Sequence, residues 1–305
     1  MILTVTPNVA VDRTASVDSL GFDRVLRPEE LVVLPGGKGI NVARAAHTLG
    51  AEVTTTGIVG DSIGDWFIAA LEDEGLAPRF VTDQHEPRTT YVVVDRHAKT
   101  LLLYEQGAAA SVEAQVALVG LLTDELIPGS DQIVISGSLP PGWEPASLTG
   151  IVDACHRQRR PCLVDTSGAA LRTVLDAHPD VVKVSATEAR EAGFDGTGPA
   201  ELAACLVRAG ATVGAVTDGA AGAAATDGRR CYEARPPMVD ALCPVGSGDA
   251  FAAGLVVSLA AGDGLDDALR TATAAGAANT LRLGAGRLHR SDHERLLAEV
   301  RVTAS

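Results

Sequence analysis

Pro244-Val245-Gly246-Ser247-Gly248-Asp249-Ala250-Phe251-Ala252-Ala253-Gly254 is a glycine-rich turn running into an apolar segment, with Phe251, Leu255, Val256 and Leu259 spaced as one face of a helix. Gly246 and Gly248 let the backbone turn tightly and approach a ligand with no Cβ in the way. The first amides of such a helix have no intrahelical partners and point, with the positive end of the helix dipole, at whatever lies in front, a place that suits an anion. Asp249 brings a carboxylate to the same spot, where it can accept a proton or a hydrogen bond from a substrate hydroxyl. Anion-cradling amides beside a hydroxyl acceptor are the parts needed to move a phosphoryl group onto an alcohol. A helix N-terminus favours the ionised carboxylate, so Asp249 is expected to be a weak base in the ground state that chiefly orients the nucleophile.

A second turn of this kind lies some 200 residues upstream. Pro35-Gly36-Gly37-Lys38-Gly39 breaks the chain between a strand-like run at 31–34 and a helix at 40–49 that stops at Gly50. No Gly-Lys-Ser/Thr follows, so this is not a Walker A loop, and it lacks the third glycine of a dinucleotide fingerprint. Protein-kinase signatures are absent as well. What remains is a backbone able to lie against a polar ligand, with the amide of Asn41 as donor and acceptor one turn into the helix.

Around these two turns strand and helix patterns alternate. Strands are expected at 2–6, 53–59, 77–82, 132–136, 161–165, 181–184 and 213–217. Helices are expected at 65–74, 112–122, 145–158, 168–176, within 197–209, and at 249–261 and 265–280, with a hairpin-like pair near 221–234. Repeated βα units imply a parallel sheet with helices on both faces, and ligands gather at the carboxyl ends of its strands. Breaks rich in Gly, Ser or Asp follow strands at 36–41, 136–142, 217–222 and 246–249, and so converge there. The segments 9–33 and 88–105 do not fit the alternation. Within the second, 89–94 and 100–104 flank the polar turn 95–99 as a hairpin would. One α/β domain spanning 1–305 is expected, with a small antiparallel β lid built from about 9–33 and 88–105.

Composition narrows the function. With 305 residues, 46% hydrophobic and only 3% aromatic, the chain can bury one large core of Val, Leu, Ile and Ala. A net charge of −14 with no offsetting basic run argues against nucleic acid, and obliges any polyanionic substrate to find local Lys, Arg or a divalent metal. Five scattered cysteines without a CxxC read as reduced thiols, pointing to the cytoplasm. Asp12 and Arg13 come too early for a signal peptide, and no apolar run approaches ~18 residues, so no membrane association is expected.

Asp12, then Gly-Gly-Lys-Gly-Ile-Asn-Val-Ala-Arg at 36–44, Ser-Gly-Ser-Leu-Pro-Pro-Gly at 136–142, Asp165-Thr166-Ser167-Gly168 and Gly-Ser-Gly-Asp at 246–249 occur in that order. Together they resemble the PfkB (ribokinase-like) carbohydrate kinases, and more narrowly the hexose-phosphate branch containing 1-phosphofructokinase, tagatose-6-phosphate kinase and the minor 6-phosphofructokinase. The resemblance implies a ribokinase-like fold, a mostly parallel central sheet flanked by helices with a small antiparallel lid, and use of ATP with Mg²⁺. It implies that Asp249 is the catalytic base and that the amides of Gly246, Ser247 and Gly248 form an anion hole. Asp12, Gly37 and Asn41 would contact sugar hydroxyls, while Arg27, Arg88 and Ser138, with Lys38 nearby, would hold a phosphate already on the substrate. Lys183, Ser185, Glu188, Thr217, Gly219 and Gly222 would serve the nucleotide, with Glu188 reaching the metal through water. Lids of the family often pair between subunits, which implies a homodimer.

A hexose phosphate carries close to two negative charges at neutral pH, and the planar fork of arginine suits it. The expected substrate is therefore a ketohexose monophosphate, fructose 1-phosphate first, with tagatose 6-phosphate or fructose 6-phosphate as alternatives. Two positions depart from the family pattern. Lys183-Val184-Ser185-Ala186-Thr187-Glu188 has Ser185 where Asn is usual, and Val216-Thr217-Asp218-Gly219 has Asp218 near where nucleotide phosphates would lie. Both bear on donor and metal handling, and they motivate a second class of reading, a sugar-phosphate-binding sensor without catalysis. A dinucleotide-dependent oxidoreductase lacks its fingerprint.

Overall fold

The computed structural model describes residues 1–304. Its strands are β1 (Ile2–Thr6), β2 (Ala10–Val17), β3 (Glu30–Gly36), β4 (Val53–Gly60), β5 (Ala77–Pro78), β6 (Val81–Asp83), β7 (Arg88–Asp95), β8 (Thr100–Tyr104), β9 (Gln132–Ser136), β10 (Cys162–Asp165), β11 (Val181–Ser185), β12 (Val213–Thr217), β13 (Ala223–Thr226), β14 (Cys231–Arg235) and β15 (Arg301–Ala304). The helices are α1 (Lys38–Thr48), α2 (Asp61–Asp73), α3 (Val112–Leu121), α4 (Ala146–Arg157), α5 (Gly168–Leu175), α6 (Ala186–Glu191), α7 (Pro199–Arg208), α8 (Ser247–Ala260), α9 (Leu265–Asn279) and α10 (Arg290–Leu297).

Strands β12-β11-β10-β9-β1-β4 lie side by side, all parallel, and form the centre of an 11-stranded sheet. β13, β14 and β15 extend one edge antiparallel, and short β5 and β6 finish the other. Helices cover both faces, so β1 and β4 are buried along their whole length and read as unbroken buried runs rather than alternating ones.

The second sheet has the order β3-β2-β7-β8. Its outer pairs, β2–β3 and β7–β8, are antiparallel, whereas the seam β2–β7 is parallel. The chain path explains the seam. β2 follows β1, and β7 follows β6, after only a few residues, and β1 and β6 both run parallel to β4. The two arms therefore rise from the same edge in the same direction.

Several local expectations need correction. The run 77–82 splits into β5 and β6, and α3 continues as a π-helical turn over Leu122–Leu126. Helix α8 is not amphipathic with one buried face. It is buried all along Asp249–Val256, because it sits between α1, the sheet and α9. Small residues make that burial possible: a Cβ on Gly254 would lie 2.7 Å from the Ala272 Cα of α9. Helices α6 and α10 and strand β15 fall outside the elements expected from sequence. For α6 the signal was present, since Ser185 and Glu188 form a capping box.

Candidate active site

At the carboxyl edge of the parallel strands, and beneath one face of the small sheet, lies a cleft of about 600 Å³. Gly246 begins α8 with φ +87°, and a Cβ there would sit 2.5 Å from the Ala285 Cα, so the turn tolerates only glycine. Ser247, Gly248 and Asp249 follow in the first turn of α8; the amides of Gly248 and Asp249 are unpaired at the cleft, whereas the Ser247 N–H, expected to be free as well, donates to the Pro244 carbonyl at 3.2 Å and closes the turn. Asp249 is buried, and its Oδ2 accepts a 2.8 Å hydrogen bond from Nδ2 of Asn41 on α1. Burial, helped by the nearby Asp165 carboxylate, pushes the Asp249 pKa up to about 6, against the lowering influence of Lys38, Lys183 and Asn41. The depressed pKa expected from the helix terminus is thus overturned: loss of hydration outweighs the dipole. Asp249 is a competent base near neutrality.

The roof of the cleft comes from alternation along the small sheet. Asp12 and Thr14 of β2, Thr90 and Val92 of β7, and Leu102 and Tyr104 of β8 face inward. Thr90 Oγ1 donates to Asp12 Oδ1 at 2.5 Å, and a Cβ on Gly36 would overlap the Asp12 carboxylate at 2.2 Å. Gly37, at φ +106°, turns the chain into α1. Arg88, at the start of β7, is half-buried; its Nη2 lies 3.4 Å from the Asn8 carbonyl and its buried Nε has no partner. Beside it, Ser138 sits on the loop after β9, where a second cavity of about 540 Å³ opens between Arg88, Ser138 and Trp143.

On the opposite side, carboxylates and ammonium groups interlock. Lys183 donates to Asp165 at 2.8 Å, both fully buried, and Lys38 bridges Asp165 at 3.2 Å and Glu188 at 2.9 Å. Burial alone would lower the Lys38 pKa, but Asp165, Glu188 and Asp249 together hold it above the usual lysine range. Burial likewise works against ionised Glu188, yet Lys38, Lys183 and the Ser185 hydrogen bonds bring its pKa down to about 2. Ser185 thereby acquires a definite place: its N–H and Oγ each lie 2.8 Å from Glu188 Oε2. Beyond Thr217 and Gly219 the cleft continues into an apolar pocket of about 420 Å³, lined by Pro236, Met238, Val239, Phe251 and Ala277 and sharing Ser247 and Gly248 with the first.

Comparison with known proteins agrees with this arrangement. Residues 4–291 match the pfkB family carbohydrate kinase model. The chain belongs to the PfkB family of carbohydrate kinases. It is 33% identical over 96% of its length to the ATP-dependent 6-phosphofructokinase isozyme 2 of Mycobacterium tuberculosis, covering 88% of that protein. Phosphofructokinase-2 from Escherichia coli, solved in complex with substrates and products, superposes with a TM-score of 0.89 at 30% identity, over 98% of both chains. A carbohydrate kinase from Agrobacterium tumefaciens, at 21% identity and TM-score 0.73 over 99% of each chain, shares the fold. The chain is thus a sugar-phosphate kinase of this family, with the ribokinase-like fold.

Within this PfkB kinase, the cleft gathers Asp12, Gly37, Lys38, Asn41, Arg88, Ser138, Lys183, Ser185, Glu188, Thr217, Gly219, Gly246, Ser247, Gly248 and Asp249. Two residues named from sequence stand apart. Arg27 lies exposed on the connection between β2 and β3 and does not line the cleft of its own chain. Gly222 lines only the apolar pocket, and its glycine is required by φ +111° and by the Ala234 carbonyl, 2.2 Å from where a Cβ would be. Asp218 is exposed and lines the cleft between Thr217 and Gly219, where its charge stands near the place expected for nucleotide phosphates. Sequence reasoning gave no role to Asp165, Arg44, Thr90, Tyr104 or Ala285. The first two stand inside quoted motifs, but their partners come from distant segments and carry no sequence signal.

Proposed function

We propose that this PfkB kinase transfers the γ-phosphoryl group of ATP to a hydroxyl of a ketohexose monophosphate, with fructose 6-phosphate as the preferred acceptor. The supporting observation is one juxtaposition: Asp249, the turn Gly246–Gly248, Asp12 and Arg88 line a single cleft. Sequence motifs favoured fructose 1-phosphate; the weight moves because a relative at 33% identity is an ATP-dependent 6-phosphofructokinase and one at 30% is a phosphofructokinase solved in complex with fructose 6-phosphate. Fructose 1-phosphate and tagatose 6-phosphate are the alternatives.

Asp12 and Asn41 hold sugar hydroxyls, and Arg88 with Ser138 takes the existing phosphate, supplying the cation that an acidic protein otherwise lacks. Asp249 accepts the proton of the attacking hydroxyl, and the amides of Gly246 and Gly248 stabilise charge on the transferring group. The apolar pocket takes the base, with Thr217 and Gly219 along the phosphates. The oxygen donors of Glu188 and Ser185 at the cleft suit Mg²⁺. Glu188 already draws a cation, since the Lys38 ammonium lies 2.9 Å from its Oε1. Glu188 would hold the ion, through water, and the ion when bound neutralises charge on the β- and γ-phosphates.

The outward face of the small sheet carries exposed Leu31, Tyr91, Leu101 and Leu103, which support a homodimer paired through these sheets. Escherichia coli phosphofructokinase-2 has a tetrameric form. Arg27 would meet substrate phosphate only across such an interface. No helix among the described residues is long and apolar enough to cross a membrane, which accords with a cytoplasmic enzyme.

The test is ADP release with MgATP against fructose 6-phosphate, fructose 1-phosphate, tagatose 6-phosphate and free fructose. Preference for one phosphorylated ketose identifies the acceptor. Binding of a sugar phosphate without turnover on any of the four would replace the kinase with the sensor.

A further inference from the structure

We infer that Arg44 is a positioning residue for phosphoryl transfer, fixing the Asn41 amide in the one orientation that serves Asp249. The inference rests on the kinase reading above. Arg44 lies on the same helix as Asn41, one turn later, and is 6% exposed. Its guanidinium is fully committed. Nη1 donates to Asn41 Oδ1 at 3.1 Å and to the Ala285 carbonyl at 3.0 Å; Nη2 donates to the Pro35 carbonyl at 2.8 Å and to Glu74 Oε1 at 2.9 Å; Nε pairs with Glu74 Oε2.

An asparagine amide has an acceptor end and a donor end that differ little in shape, so its orientation is set by its partners. Arg44, which can only donate, takes the Oδ1 end. That leaves Nδ2 for Asp249 Oδ2 at 2.8 Å. A flipped amide would face the carboxylate with a lone pair. With Oδ2 held, Oδ1 of Asp249 is the oxygen left for a substrate hydroxyl. The same guanidinium ties down the Ala285 carbonyl, and Ala285 packs against Gly246, whose absent Cβ would lie 2.5 Å from its Cα. One side chain therefore joins the end of β3, α1, the chain after α2 and the 285 loop to both sides of the catalytic turn. Glu74 balances its charge from outside the cleft, so Arg44 contacts the reacting centre only through Asn41 and Ala285.

The charged groups facing Asp249 are Lys38 of α1, Asp165 of β10 and Lys183 of β11, with the neutral, titratable phenol of Tyr104 of β8, and none of them changes when Arg44 is replaced. Arg44→Met should lower kcat by roughly 10–100-fold, the cost of misplacing a reacting group. It should leave KM for the sugar phosphate near wild type and move the acid limb of kcat upward as Asp249 loses its fixed donor. Arg44→Lys, which keeps the charge against Glu74 but cannot reach Asn41, Ala285 and Pro35 together, should reproduce the kcat loss with a smaller drop in melting temperature. It is the variant to read if Arg44→Met does not fold. A lower melting temperature with kcat and pH profile unchanged would reduce Arg44 to a structural residue, and raised KM at constant kcat would assign it to binding; either overturns the inference. Carboxyl ¹³C NMR titration of Asp249 in wild type and Arg44→Lys needs no turnover. An upward displacement in the variant supports the positioning role even if no sugar phosphate proves to be a substrate, and identical curves refute it.

Discussion

Lys183 and Asp165 form an ion pair of 2.8 Å with both side chains essentially sealed from solvent, Asp165 at the end of β10 and Lys183 within the neighbouring parallel β11. Lys38 reaches the other oxygen of Asp165 from the cleft side. Removing Lys183 leaves a buried carboxylate with only that one partner. Lys183→Met should therefore destabilise the fold by an amount approaching, but below, the roughly 3–5 kcal/mol of a fully stranded buried charge. Adding Asp165→Asn should recover much of it. A double-mutant cycle by urea unfolding measures this, and strictly additive effects would deny the coupling.

Asp249→Asn keeps the shape and the place of the side chain while removing the base. kcat should fall roughly 10²–10⁴-fold with substrate KM near wild type. In the wild type, kcat/KM should decline by about tenfold per pH unit below pH about 6, as Asp249 becomes protonated. A rate that stays level down to pH 5 would remove Asp249 from the role of base.

The same carboxylate should carry a stability cost. Its folded pKa of about 6 lies above the ordinary value of 3.8, so the folded state binds this proton more tightly than the unfolded state. The favourable contribution is present in full below pH 3.8 and is lost as pH rises through about 6. Asp249→Asn should accordingly be more stable than wild type at pH 8, by an amount on the order of 2–3 kcal/mol, with the advantage shrinking toward pH 4. Thermal unfolding of both proteins at the two pH values reads the difference.

Glycines of the catalytic turn should differ in what they tolerate. Gly246→Ala meets both a left-handed φ, costing ~1–2 kcal/mol, and backbone of the 285 loop, whereas Gly248→Ala meets only the Lys183 Nζ at 3.0 Å, a side-chain atom held in its ion pair with Asp165. Melting temperature should fall for both and further for the first. On the proposed kinase reading both should lose kcat, since each disturbs the amides assigned to the transferring group.

Arg88→Ala should raise KM for a phosphorylated ketose about 10–100-fold, the roughly 1.5–3 kcal/mol of charge-assisted hydrogen bonds, without altering any turnover of free fructose. An equal loss on both substrates would show that Arg88 does not hold the phosphate.

The parallel α/β architecture, the convergence of glycine-rich turns at one sheet edge and the small covering sheet were legible in the sequence, because strand length, helical periodicity and glycine turns are local properties of a chain. So was the candidacy of Asp249, Asn41 and Asp12. The state of those groups was not. Whether Asp249 is held below or above its ordinary pKa depends on how much water reaches it and on carboxylates 84 residues away in the chain, as Asp165 is. The partners of Arg44 lie on four segments, and the one-face reading of α8 failed because α1 and α9 close around it. Periodicity records which faces of an element are apolar; hydration, charge pairing and the orientation of an amide arise only when distant segments pack together.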